Sequence, residues 1–301
     1  MRPPEPSRRP LLAVGALVFA GAAGAWLLLR RAAPRDEPKP AAAARALGAG
    51  AAVLAFSVAT DSALEHYRGS FENKAMFIAP AVSTITIAAA ALTLLRPGTG
   101  RTAKGLVFAA ATATGAAGVG FHVYDIAKRE GGFDLNNLFY HAPLGAPAAI
   151  GLAGIFGLLS QRFARGETGL LGNDGARLIA PFAAAALLGT VAEAGLLHFR
   201  GSFQNPAMYA PVTLPPAAAA ALAASAAAPR LIPAARFLLE GTAMLGIAGP
   251  VFHAYGIHRN MGGWRNWSQM ILQGPPLPAP PAFLGIAIVG LAMLPLLEED
   301  A

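Results

Sequence analysis

Two acidic side chains stand inside apolar runs of this chain, each five residues ahead of a histidine: Asp61 before His66 and Glu193 before His198. An ionisable group in such a run costs on the order of a few kcal/mol, and by default it marks a functional or buried polar position. In a helix rising about 1.5 Å per residue, each carboxylate lies roughly 7 to 8 Å deeper than its histidine. Five residues also turn the helix by about 140°, so acid and imidazole do not share a face. They line one cavity only if other helices surround it, and then they form a proton or cation relay. The plainer role is a hydrogen bond from each acid to a neighbouring helix.

A second spacing joins glycine to histidine. Gly115, Gly118 and His122 return as Gly246, Gly249 and His253. A glycine four residues before a histidine lies on the same helical face, one turn deeper. That leaves a flat surface beside the imidazole, on which a planar macrocycle can lie. Close helix packing through small residues explains the same glycines. The four histidines can form two bis-histidine sites for b-type haem, His66 with His122 and His198 with His253. They can also form one shared metal site with Asp61 and Glu193 nearby. Without either, they cap helix ends and tie down loops. His141 and His258 have no histidine at the matching place and rank below these four.

These residues recur because the chain states one unit twice. The run 64–76, Leu-Glu-His-Tyr-Arg-Gly-Ser-Phe-Glu-Asn-Lys-Ala-Met, returns at 196–208 as Leu-Leu-His-Phe-Arg-Gly-Ser-Phe-Gln-Asn-Pro-Ala-Met. Phe121-His122-Val123-Tyr124 returns as Phe252-His253-Ala254-Tyr255, and Gly131-Gly132-Phe133 as Gly262-Gly263-Trp264. Gly69 and Gly201 suit helix C-termini, where a left-handed residue is wanted. Asn73 and Asn205 suit N-caps, and Pro206 suits the first helical position. A turn does not need Arg68 and Arg200. Each can hold an anion: a haem propionate, a lipid phosphate or a substrate carboxylate.

The elements that position these residues are apolar helices. Charged residues make up 13% of the chain and apolar ones 55%, and runs of about 20 apolar residues, the length that spans a bilayer, recur along it. The expected fold is an all-α integral membrane protein: an N-terminal helix followed by two tandem parallel four-helix repeats, about nine spans in all. The N-terminal part, 1–40, holds a tail with Ser7-Arg8-Arg9-Pro10, the apolar run 11–29 as an anchor or signal helix, and a charged linker. The first repeat covers 41–165, with spans near 42–66, 76–96, 103–127 and 142–161. The second covers 176–298, with spans near 178–198, 208–228, 233–257 and 279–297. Short segments at 135–141 and 265–272 are expected to lie along the interface, within an aromatic belt that includes Tyr124, Tyr255, Phe139, Tyr140 and Trp267.

An even number of spans per repeat sends both copies into the membrane in the same direction. The symmetry is then a pseudo-two-fold along the membrane normal. First and third spans end on one face, which gathers all four duplicated histidines there. The other face carries Arg96, Arg101, Lys104, Arg162, Arg165, Arg177, Arg230 and Arg236. The positive-inside rule makes that face cytoplasmic and turns the histidines outward, in a bacterial-type inner membrane.

Absences narrow the chemistry. With no cysteine, thiolate metal sites, iron–sulfur clusters and covalent haem attachment are excluded. No Walker loop, nucleophile elbow, zincin motif or dinucleotide fingerprint occurs, so no intrinsic catalytic motif is present and any enzymatic role is that of an oxidoreductase subunit. No basic stripe for nucleic acid stands out. The leading expectation is an electron-transfer or anchor subunit with b-type haem on His66, His122, His198 and His253, linking a redox partner subunit to the quinone pool among membrane lipids. The alternatives are a small transporter or channel using Asp61 and Glu193 between the copies, and a structural membrane scaffold.

Overall fold

The computed structural model describes residues 37–96, 98–140, 143–260, 262, 263, 266 and 273–299. The expected N-terminal helix at 11–29, His141, Trp264, Trp267 and all of the expected interfacial segment 265–272 except 266 lie outside the described residues. Within them the chain is almost wholly helical, and eight helices are long and apolar enough to cross a membrane. This makes it an all-α membrane protein.

In the first half, α1 runs Lys39–Arg68, α2 Ile78–Leu95, α3 Arg101–Ala127, the short α4 Leu135–Tyr140, and α5 Gly145–Phe163. In the second half, α6 runs Gly175–Arg200, α7 Ala210–Ser225, α8 Ile232–Asn260, and α9 Pro281–Glu299. All eight expected spans are present within a few residues of their expected limits. The segment expected at 135–141 forms a short helix, α4, over Leu135–Tyr140.

A two-stranded hairpin joins the halves, β1 Gly169–Leu170 antiparallel to β2 Asn173–Asp174. Its turn places Leu171 at φ 52° and Gly172 at φ 79°, the pair of left-handed residues that a type I′ turn requires. Asp174 then caps α6 by accepting from the N–H groups of Ala176 at 3.1 Å and Arg177 at 3.2 Å. Several buried hydroxyls in the spans bond within their own helices, as in Thr93 to Ala89 O at 2.9 Å and Thr242 to Leu238 O at 2.9 Å, and Ser160 of α5 reaches Ala44 O of α1 at 2.6 Å.

Helix α1 packs on α2 and α5, and α3 packs on α5. In the second half α6 packs on α7 and α9, and α8 on α7 and α9. The halves join chiefly where α1 lies along α9, with α5 touching α6 beside it. Phe156 of α5 meets Phe182 of α6 edge-on at 6.0 Å. Helices α1 and α9 are buried along most of their length, whereas α3 presents most of its surface outward.

Glycine lets α1 and α9 cross closely. A Cβ on Gly50 would stand 2.7 Å from Val289 Cγ2 and 2.8 Å from Gly285 O, and one on Gly285 would stand 2.8 Å from Leu54 Cγ. Backbones that close gain dispersion contact along the seam, the device that membrane helices use where lipid removes the hydrophobic drive.

The glycines beside the third-span histidines serve the same purpose. Gly115 lies against the backbone of Gly151 and Gly118 against Pro147, while a Cβ on Gly246 would be 2.6 Å from the Leu284 nitrogen and one on Gly249 2.8 Å from Pro280 Cγ. The flat surface expected beside His122 and His253 is therefore filled by α5 and α9, and close packing is the reason for these glycines.

Candidate functional site

The duplicated loop closes α1 and α6 in the same way. Gly69 N–H donates to Glu65 O and Phe71 N–H to His66 O, and Gly201 and Phe203 repeat this with Leu197 and His198. The expectation of a left-handed glycine is corrected here. Gly69 has φ −83° and Gly201 φ −79°. The left-handed residues are Ser70 and Phe71 at φ 56° and 48°, and Ser202 and Phe203 at φ 58° and 46°. A Cβ at Gly69 would lie 3.2 Å from Met76 Cε and one at Gly201 3.0 Å from Met208 Cε, a crowding that a small shift of the methionine relieves.

The strained turn aims an aromatic ring at each histidine. Phe71 stacks on Phe77 at 4.2 Å and meets His66 at 6.1 Å. Phe203 stacks on Tyr209 at 4.6 Å and meets His198 at 6.1 Å. Asn73 and Asn205 cap the next turn as expected, each accepting a backbone N–H at 2.9 Å.

All four histidines face a backbone carbonyl with Nδ1. His66 donates to Met76 O, His122 to Pro143 O at 2.5 Å, His198 to Met208 O at 2.8 Å and His253 to Pro276 O at 2.7 Å. A carbonyl only accepts, so Nδ1 carries a proton and a neutral ring keeps its lone pair on Nε2. Each bond ties a helix end to the loop or helix that follows, which is a structural task in itself. It is also the orientation of a metal-ligating imidazole, whose second nitrogen donates to a carbonyl.

The histidines stand in pairs. His198 and His253 have ring centres 6.4 Å apart at 72°, and His122 lies within electrostatic reach of His66. Among the described residues, no group of three or more histidines and carboxylates converges on a point where a metal could sit.

The carboxylates lie on the seam between the halves. Glu193 of α6 accepts the backbone N–H of Gly145, the first residue of α5 in the other half. Helix N-termini leave such donors unsatisfied and attract negative charge. One turn below Asp61 on α1, Ser57 donates to Pro278 O in the lead-in to α9 at 2.6 Å. That lead-in reads Pro275-Pro276-Leu277-Pro278-Ala279-Pro280-Pro281 and is poor in N–H groups. Asp61 Oδ1 is buried with no hydrogen-bond partner. The charges around it are Glu65, Glu193 and Arg68.

The two arginines cross the seam in opposite directions. Arg68 donates to Gly274 O at 2.8 Å, in the segment ahead of α9, and Arg200 to Phe139 O at 2.6 Å, at the end of α4. Beside Arg200 a cleft of about 430 Å³ opens between the halves, lined by Phe139, Tyr140, Phe199, Arg200, Ser202, Phe203 and Tyr209.

Sequence reasoning singled out the side chains on α1, α3, α6 and α8 but missed their backbone partners, Gly145, Pro278, Gly274 and Phe139. Comparison with protein-family models, curated proteins and solved structures returned no match.

Proposed function

We propose that the protein moves a proton or a monovalent cation through the seam between its halves, with Asp61 as the exchange site and Glu193 as the fixed partner. The observation that carries this reading is Asp61 itself: a buried carboxylate oxygen without a donor, within electrostatic reach of Glu65 on its own helix and of Glu193 in the other half. A carboxylate that only holds helices together is expected to have its hydrogen bonds filled. Glu193 fits that description and Asp61 does not. Two carboxylates within electrostatic reach of each other attract one small cation, and a proton or a monovalent ion answers that need.

In this reading the halves are tandem parallel repeats about an axis along the membrane normal, and rocking of one against the other alternates access to Asp61. The matched histidine–carbonyl bonds at the four helix ends support the repeat. Arg68 and Arg200, each bonded to the opposite half, close the histidine face, and opening that face breaks both bonds. The basic residues at the far end favour a cytoplasmic position for that end in a bacterial inner membrane, with the histidines outside.

Reconstitution into vesicles with an imposed ion or proton gradient tests the proposal. Asp61→Asn is expected to lower flux at least about tenfold while the protein stays folded, and Asp61→Glu to retain part of it. Glu193→Gln keeps an oxygen for Gly145 N–H but removes the charge, and it is expected to slow flux as well. Wild-type rates in Asp61→Asn overturn the reading.

One observation favours b-type haem as a second reading. An ion held between two Nε2 atoms at about 2 Å each puts the ring centres roughly 6 Å apart, and His198 and His253 stand 6.4 Å apart with Nδ1 already engaged. A bound haem would supply one-electron transfer between a partner subunit and quinone. The packing of α5 and α9 over the neighbouring glycines leaves no platform for the macrocycle there, which is why this reading stands second. Haem bands in the reduced-minus-oxidised spectrum, lost in His253→Ala, would reverse the order.

A further inference from the structure

The two copies of the duplicated loop differ in the charge beside their arginine. In the first, Glu65 precedes Arg68 by three residues and pairs with it at 2.6 Å. In the second, the residue three before Arg200 is Leu197. Arg200 is held in place by its bond to Phe139 O and by the Tyr140 ring, 5.6 Å from its guanidinium carbon. No carboxylate among the described residues pairs with it. One copy thus carries a neutralised arginine and the other a net positive charge at the mouth of an aromatic cleft.

The cleft joins this charge to apolar surface. Tyr140, Phe199 and Tyr209 are each more than half exposed, around the C-terminal end of α6, where interfacial aromatic residues are expected. At about 430 Å³ it is within the ordinary range for small-ligand sites. The guanidinium keeps N–H donors beyond the one given to Phe139, which suits a phosphate or carboxylate oxygen. The aromatic walls suit the glycerol and first acyl carbons of a lipid entering from the bilayer.

We propose that this cleft is a binding site for the anionic headgroup of a membrane phospholipid, whose phosphate takes at Arg200 the place that Glu65 takes at Arg68. The walls come from both halves, so the bound lipid bridges them. The proposal does not depend on cation transport.

The test is titration calorimetry on the full chain in an uncharged detergent. The probes are dihexanoyl phosphatidylglycerol, dihexanoyl phosphatidylcholine and inorganic phosphate. Phosphatidylglycerol is expected to bind saturably, and phosphatidylcholine at least about tenfold more weakly, as loss of a charge-assisted contact predicts. Leu197→Glu restores the first copy's ion pair without touching Arg200 or its bond to Phe139, and it is expected to weaken phosphatidylglycerol binding by a similar factor. Arg200→Gln is expected to do the same, with the unfolding temperature in lipid-free detergent reporting whether each variant is folded. Equal affinity for the two lipids overturns the proposal, as does unchanged binding in folded Leu197→Glu or Arg200→Gln. Equal affinity for inorganic phosphate overturns the assignment to lipid.

Discussion

The most constrained residues in this protein are in the two loops that follow the first span of each half. Consecutive left-handed residues that are not glycine cost on the order of 1–2 kcal/mol each, and the chain carries such a pair twice, at Ser70-Phe71 and Ser202-Phe203. The return is an aromatic ring set against each histidine. Ser70→Gly is therefore expected to leave stability unchanged or to raise it by up to about 1 kcal/mol. Phe71→Ala removes the stack on Phe77 and is expected to lower it by about 1–3 kcal/mol. Thermal unfolding in detergent checks both, and a Ser70→Gly variant as unstable as Phe71→Ala would contradict the assignment of strain. Gly145 carries a different constraint, because a side chain there would occupy the position of the Glu193 carboxylate. Gly145→Ala is expected to expel that carboxylate from the α5 N-terminus and to slow any flux that depends on it.

At the scale of elements, glycine decides where helices meet. Gly50 and Gly285 let α1 and α9 cross with backbones in near contact, whereas a Cβ at Gly120, on the outer part of α3, would meet nothing within 4 Å. Gly285→Val is expected to destabilise the protein by roughly 1–3 kcal/mol through overpacking. Gly120→Ala is expected to be neutral or stabilising by up to about 1 kcal/mol, since it gains helix propensity without a clash. Unfolding by a titrated denaturing detergent measures both, and similar effects at the two sites would show that the seam tolerates more than its geometry implies.

The whole molecule is two halves held along one seam. A single hairpin links them, and at its tip Leu171 is 87% exposed. Cutting the chain between Leu171 and Gly172 leaves the α1–α9 contact, both arginine crossings and the Glu193–Gly145 bond intact. Two separately encoded halves, 1–171 and 172–301, are therefore expected to assemble and copurify in mild detergent. Failure to copurify, with each half inserted, would mean that the linkage and not the seam holds the molecule together.

The membrane class, the eight spans and their limits were legible in the sequence, because a bilayer demands long apolar helices with satisfied backbones and leaves few other readings. The duplication was legible too, and with it the histidines, carboxylates and arginines worth watching. What the side chains touch was not legible, because their partners are backbone groups of distant segments and carry no residue-type signature: His253 meets Pro276 O, Arg200 meets Phe139 O and Glu193 meets Gly145 N–H. The same holds for the glycines beside His122 and His253, where spacing allows a bare platform or a close crossing. Only the tertiary structure decides between them, by laying α5 and α9 in that space. It also separates Asp61 from Glu193, which the sequence presents as equivalents, because one carboxylate meets an N–H at a helix start and the other keeps a buried oxygen with no hydrogen-bond partner.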